Sequence, residues 1–129
     1  MLKGRNHNES KEWCDRLAST SWLGTPTAPN DLVRVMRFRS ALGSTEKNLG
    51  EAESMVLAIE IGAIFVTDDR GAFDFAARNQ DLGRTRVLDS CALLKLAEGQ
   101  GYLTADESRA FHVDVADVSR FMRCNCTFH

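Results

Sequence analysis

The sequence predicts a single α/β domain with a parallel sheet, and three observations lead to that fold class. The 129 residues are 43% hydrophobic and 26% charged, which is the composition of an ordinary globular domain. Two short, apolar, β-prone segments, residues 63–67 and 85–89, are each followed by a helical pattern. A helix between two buried strands favours a right-handed βαβ unit, in which the strands are parallel.

Three helices are predicted in the first half of the chain, each from apolar residues that recur at helical spacing. Their predicted spans are Glu9 to about Ser19, Asn30 to Gly43 and Gly50 to Ile61. Asn30 is the predicted N-cap of the second helix, and Gly43 is its predicted end. The apolar positions of the second helix include Leu32, Val35, Met36 and Leu42, and those of the third are Ala52, Met55, Val56 and Ile59.

The second half of the chain alternates strands with helices. It is predicted to contain a strand at residues 63–67, a helix at 71–80, a strand at 85–89, a helix at 91–100 and helical structure from Thr104 to about Met122. Ser90 is the predicted cap of the helix at 91–100, and Thr104 with Glu107 matches a capping box. Because a two-stranded parallel sheet is rarely stable as a domain, we expect a further strand, which residues 1–20 do not supply.

Acidic residues lie at the ends of these elements. Asp68 and Asp69 directly follow the first strand, where open parallel sheets bind ligands. Glu51 lies in the first turn of the preceding helix, which runs antiparallel to that strand and brings its N-terminus to the same edge. A Mg²⁺ or Mn²⁺ ion would relieve the repulsion between these carboxylates and activate a water molecule. The structural alternative is that the acids are helix caps, or residues favoured near the helix dipole.

Composition and motifs argue against several other classes. The formal net charge of -2 provides no basic field for nucleic acid, although a bound metal supplies positive charge locally. No P-loop, G-x-S-x-G or G-x-G-x-x-G is present. No apolar run suits a membrane span or a signal peptide, so we expect a cytoplasmic protein with free thiols at its four cysteines.

The two ends of the chain are predicted to be disordered tails, at residues 1–8 and 123–129. Cys124, Cys126 and His129 form a cluster of potential zinc ligands within the second tail. Zinc takes four ligands, and only this one cluster is visible in the sequence, so the frayed tail is the preferred interpretation.

The segment LGEAESMVLAIEIGAIFVTDDRGAFDFAA resembles the C-terminal half of PIN-domain proteins, the metal-dependent ribonuclease fold that includes VapC-like toxins. The similar motifs are Gly50-Glu51-Ala52-Glu53, Asp68-Asp69-Arg70 and Ala77-Arg78. The resemblance covers roughly residues 31–108 and implies one three-layer α/β/α PIN-like domain over residues 1–129. The family's first strand ends in Asp, and no apolar strand of that kind precedes Glu9. The family's early Glu has no clear counterpart either, since Glu9 and Glu12 are the only early glutamates, so we expect a domain that is incomplete at its N-terminus.

The resemblance implies an endoribonuclease of the toxin–antitoxin type that hydrolyses RNA with Mg²⁺ or Mn²⁺. Glu51 and Asp69 would be its catalytic metal ligands, and Asp68 would be a further metal ligand. Arg70 would contact substrate phosphate, with pairing to a nearby acid as the alternative. A small antitoxin and a second copy of the chain are the implied partners. The alternative function is that of a truncated, catalytically inactive PIN-like remnant, which acts only as a protein-binding module.

Overall fold

The computed structural model of the protein describes residues 27–44 and 46–117, together with Lys11, Glu12, Asp15, Arg16, Ser19 and Thr20. In the main described ranges the elements are α1 (Leu32–Leu42), α2 (Glu46–Ile61), β1 (Phe65–Val66), α3 (Arg70–Arg78), β2 (Val87–Leu88), α4 (Ser90–Gly99) and α5 (Ala105–Asp117). A short 3₁₀ turn, Arg84–Arg86, leads directly into β2. Lys11, Glu12, Asp15 and Arg16 are helical, as predicted. The two predicted tails and the Cys124–His129 cluster lie outside the described residues.

The sheet is parallel, as the sequence predicts. Phe65 lies opposite Val87, and Val66 lies opposite Leu88. The described part of the chain is therefore mixed α/β, mostly helical, with a sheet of two short strands and without the expected third strand. None of its helices combines the length and the apolar character that crossing a lipid bilayer requires.

The core lies between the sheet and the first three helices. Phe65 and Val87 are register partners, so their buried side chains project from the same face of the sheet. Alanines on α2 and α3 allow close packing, and the rings of Phe38 and Phe75 meet edge to face with centroids 5.1 Å apart. The buried cluster comprises Val35, Phe38, Ala52, Met55, Val56, Ala58, Phe65, Ala72, Ala76, Leu82 and Val87.

The predicted N-cap of α1 is wrong by one residue. The carboxylate of Glu60 on α2 accepts hydrogen bonds from the backbone N–H groups of Asn30 (2.9 Å) and Asp31 (2.8 Å). The Asp31 side chain then caps the helix by accepting from the Arg34 N–H (3.0 Å). Gly43 ends α1 with a φ of 113°, as predicted, because a residue with a Cβ is strained in that conformation.

The exposed and buried faces of α1 also differ from the apolar pattern of the sequence. Val35 and Phe38 are buried, whereas Leu32 and Met36 are exposed. The apolar stripe predicted for α2 is confirmed, since Ala52, Met55 and Val56 are buried. However, α2 begins at Glu46 rather than Gly50, and the Asn48 side-chain amide donates to the Leu42 carbonyl (2.5 Å) across the turn from α1.

The predicted N-cap of α4 is wrong by one residue, and the predicted capping box of α5 is confirmed. Asp89, rather than the predicted Ser90, is the N-cap of α4, and its carboxylate accepts from the Ala92 N–H (2.7 Å). The capping box before α5 is confirmed, because the Thr104 N–H donates to the Glu107 carboxylate (2.7 Å). In return, the Glu107 N–H donates to the Thr104 hydroxyl (3.2 Å).

Arg86 joins three parts of the fold through backbone carbonyl groups. Its Nη2 donates to the carbonyls of Ala58, in the last turn of α2, and Ala63, just before β1 (2.9 Å to Ala63). Its Nη1 donates to the Asp81 carbonyl (2.9 Å). The Ala58 carbonyl also accepts from the Ala63 N–H (2.9 Å), so the guanidinium adds a charged donor to a helix-end carbonyl that already has one backbone partner. The same contacts hold residues 84–86 in a 3₁₀ turn, which shortens the predicted strand at 85–89.

Replacing Arg86 with methionine removes these hydrogen bonds but keeps an unbranched side chain. Because half-buried carbonyls then lose a charged donor, we expect the free energy of unfolding to fall by about 2–4 kcal/mol. Urea unfolding followed by circular dichroism measures the change. Arg84→Met is the matched control, since Arg84 is exposed and its loss should change stability by less than about 0.5 kcal/mol. Equal losses in the two variants would contradict the role assigned to Arg86.

Candidate site at the carboxyl edge of the sheet

Three aspartates follow the two strands at one edge of the sheet. Asp68 and Asp69 come after β1, and Asp89 comes directly after β2. Parallel pairing brings the carboxyl ends of both strands to the same side, so the three residues lie near each other. A small pocket at this edge is lined by Thr67, Asp68, Arg70, Phe73 and Asp89.

Asp69 is the N-cap of α3. Its Oδ1 accepts a hydrogen bond from the Ala72 N–H (2.9 Å), and its own N–H donates to the Thr67 hydroxyl (3.1 Å). The side chain is half-buried. This predicted catalytic acid therefore has the structural role of a helix cap, and its orientation is set by the start of α3.

Asp68 connects β1 to the start of α4. Its Oδ1 accepts from the Ser90 N–H (2.8 Å), and its Oδ2 accepts from the Ser90 hydroxyl (2.5 Å). The carboxylate thus satisfies one of the N–H groups that a helix leaves without an internal partner at its N-terminus. Both oxygens of this predicted metal ligand are engaged with Ser90.

Asp89 belongs to the same edge, although the sequence reasoning did not select it. The signal was present, since Asp89 is the last residue of the predicted strand at 85–89 and is equivalent in position to the acids after β1. Two residues after it, the side chain of Cys91 is buried. Burial raises the pKa of the Cys91 thiol; Lys95 lowers it, and Asp89 and Asp68 raise it further. Cys91 is consequently a protonated core residue at neutral pH rather than a nucleophile.

Glu51 lies in the second turn of α2, because that helix begins earlier than predicted. It is half-buried, and its Oε2 is fully buried. Glu51 precedes the turn at Gly62 by eleven residues, about 16 Å of helix, and Asp68 follows that turn by six residues, about 20 Å of extended chain. α2 contacts β1, and these lengths are compatible with a position of Glu51 at the level of the carboxyl edge. Glu53 is exposed, as expected for a solvated residue.

Arg70 is the first residue of α3, and its side chain lies over the outer surface of that helix. Its Nε is 3.2 Å from the Asp74 carboxylate one turn later. Its guanidinium carbon is 6.0 Å from the centroid of the Phe73 ring. The side chain predicted to contact phosphate is therefore paired with an acid and placed at the mouth of the edge pocket.

The carboxylate oxygens at this edge are ligands of the kind that a hard divalent cation prefers. Mg²⁺ is commonly bound by one or two carboxylates, together with water and substrate phosphate. Glu51 and Asp69 provide carboxylates of that kind, and Asp68 provides a third, each of whose oxygens also accepts one hydrogen bond from Ser90. Within the described residues, no group of three or more His, Cys, Asp or Glu side chains is arranged to hold a metal ion.

No family model matches the chain, and no curated protein or solved structure shows significant similarity to it. The resemblance of residues 31–108 to PIN-domain proteins therefore stays a prediction that depends on the motifs around Glu51 and Asp69.

Substitutions can distinguish the contribution of the Asp69 capping hydrogen bond to stability from that of its negative charge. Asp69→Ala removes the acceptor for the Ala72 N–H, so we expect the free energy of unfolding to fall by about 1 kcal/mol. Asn caps helices as well as Asp does, so Asp69→Asn should change stability by less than about 0.5 kcal/mol. Thermal and urea unfolding of both variants test this. Equal destabilisation by Ala and Asn would mean that the negative charge, and not the hydrogen bond, stabilises the start of α3.

Proposed function

We propose that this chain is a PIN-like ribonuclease that hydrolyses the phosphodiester backbone of RNA with Mg²⁺ or Mn²⁺. The observation that supports the proposal most is the position of Asp68, Asp69 and Asp89 at the carboxyl edge of a parallel sheet. Ligands of open α/β sheets bind at this edge. The G-E-A-E and D-D-R motifs lie on the elements that form the edge, so the resemblance and the geometry support the same site.

The proposed fold is a three-layer α/β/α domain. α1, α2 and α3 pack on the face of the sheet that carries Phe65 and Val87. Val66 and Leu88 project from the opposite face, and α4 follows β2 and packs against it. In this arrangement α4 and α5 form the third layer. A small antitoxin and a second copy of the chain remain the partners that the resemblance implies.

In the proposed mechanism, Glu51 and Asp69 hold the divalent ion. When bound, the ion supplies a water of lowered pKa and stabilises negative charge on the phosphodiester. Asp69 is oriented for this role by its hydrogen bond to Ala72, and Glu51 is held by its half-buried position on α2. Asp68 positions the N-terminus of α4 through Ser90 and would be a further ligand of the ion through its remaining lone pairs. Arg70 contacts substrate phosphate by exchanging its pairing with Asp74.

RNA cleavage in the presence of Mn²⁺ tests the proposal. The double variant Glu51→Gln with Asp69→Asn removes two negative charges, while the asparagine side chain retains the cap of α3. We expect its rate to fall by at least about 100-fold, since residues that merely orient a metal ligand already contribute roughly 10- to 100-fold. Chelation of the metal should abolish wild-type cleavage.

Asp106→Asn is the control variant, because Asp106 is an exposed acid on α5 whose side chain is 91% accessible. It should cleave RNA at the wild-type rate. Unfolding curves establish that all variants are folded. Equal cleavage by every variant, or cleavage by none, would overturn the ribonuclease proposal for this chain.

A second candidate is a catalytically inactive, protein-binding module, and one observation favours it. Leu32, Val33 and Met36 on α1 are 64%, 65% and 52% exposed, and they line one groove together with Arg37 and Ser40. Exposed apolar side chains that are contiguous, rather than scattered, are typical of protein interaction surfaces.

The simplest partner for the exposed α1 surface is a second copy of the chain. Light scattering after size exclusion tests for this self-association. We expect the wild-type mass to rise with concentration and the double variant Val33→Gln with Met36→Gln to stay monomeric, because it removes the apolar contact area. Ile61→Gln is the control, since Ile61 is 65% exposed at the end of a different helix. A wild-type monomer at every concentration would contradict self-association through α1.

A further inference from the structure

We propose that the outer face of α3 forms a binding groove for single-stranded RNA. This proposal rests on the proposed ribonuclease function and specifies how its substrate is bound. A groove of about 570 Å³ runs along this helix. It is lined by Arg70, Phe73, Asp74, Ala77, Arg78 and Arg84. Three arginines and one aspartate give the groove a local charge of +2, although the whole chain has a formal net charge of -2. The groove therefore favours a polyanion.

Two of the three arginines make no ion pair within the described residues, so they can bind phosphate without giving up an acidic partner. Arg70 is paired with Asp74, but the side chain of Arg84 is exposed and makes no hydrogen bond or ion pair within the described residues. Nε of Arg78 donates to the Asp74 backbone carbonyl (3.1 Å), which orients the guanidinium without neutralising it. A planar guanidinium binds phosphate oxygens through two parallel hydrogen bonds, so Arg78 and Arg84 are suited to contact phosphates of a strand in this groove.

Phe73 provides an aromatic ring beside these arginines. The Arg70 guanidinium lies over it at 6.0 Å, and a base takes that place when Arg70 moves to a phosphate. Phe73 is half-buried, packs against the core and lines the groove. Stacking on an aromatic ring is available only to an unpaired base, and it accepts any of the four bases. The arrangement of arginines around one aromatic ring thus favours single-stranded nucleic acid over a duplex.

The groove leads to the acids of the candidate site. Arg70 and Phe73 line both the groove and the edge pocket that contains Asp68 and Asp89. At its other end, Arg78 also lines a second groove of about 430 Å³, together with Phe75, Asn79, Gln80 and Asp81. A strand that follows this path has its phosphates on Arg78 and Arg84, a base on Phe73 and a phosphodiester beside the acidic edge. The lining is polar and contains few aliphatic side chains, which distinguishes it from the apolar groove on α1.

Binding in the presence of EDTA tests the groove independently of cleavage. Fluorescence anisotropy of a short fluorescein-labelled oligouridine would be measured with the wild type and with the double variant Arg78→Gln, Arg84→Gln. We expect binding by the variant to weaken by about tenfold or more. The slope of log affinity against log salt concentration should become shallower by about 1.4, which is two phosphate contacts at roughly 0.7 each. Phe73→Leu should weaken binding about fivefold or more and leave the slope unchanged.

The matched control is the double variant Arg37→Gln, Arg109→Gln, which makes the same change of charge on α1 and α5, and it should bind as the wild type does. Equal affinities of the groove and control variants would overturn the groove. Displacement of the RNA by oligoglutamate at equal charge would overturn its assignment to RNA, because an acidic protein would then be an equal ligand. Selective loss of binding by the groove variant supports the groove even if no variant cleaves RNA, so the two proposals fail separately.

Discussion

The hydrogen bonds of Arg86 set the position of one strand against the other. Arg86 immediately precedes β2, and its guanidinium holds the carbonyls of Ala58 and Ala63 at the end of α2 and the approach to β1. With two residues in each strand, the ladder alone provides little to specify its register. The side chain adds charged hydrogen bonds at the amino ends of both strands. The parallel register that this restraint supports places Asp68 and Asp89 together at the opposite edge.

Each of the three acids at that edge makes hydrogen bonds that stabilise the start of a helix. Asp69 caps α3, Asp89 caps α4, and Asp68 binds Ser90 at the start of α4. These bonds direct the N-termini of two helices, with their N–H groups and positive dipole ends, towards the carboxyl edge. A phosphate that approaches along the arginines of α3 therefore meets a region where negative side chains are already partly balanced. The capping roles and the proposed site use one geometry.

Much of the local structure was predictable because neighbouring residues decide it. The end of α1 at Gly43 and the capping box of Thr104 with Glu107 depend on residues at most a few positions apart, and both predictions are confirmed. The cap of α1 was not predictable in this way. Glu60 reaches the Asn30 N–H from a distance of thirty positions along the chain, so only folding of α2 against α1 brings the two groups together. The groove on α3 was missed for the same reason, since Arg84 joins it from beyond that helix.

The sequence by itself determined the order of helices and strands, the parallel pairing and the presence of acids at one edge. Each of these follows from hydrophobic periodicity and from the geometry of βαβ connections. Only the tertiary structure decided what the acids contact. It assigned both oxygens of Asp68 to Ser90, placed Glu51 one turn deeper in its helix and put Arg70 beside Phe73 and Asp74. A carboxylate at a given position is compatible with capping or with ion binding, and the choice depends on donors that are distant in sequence.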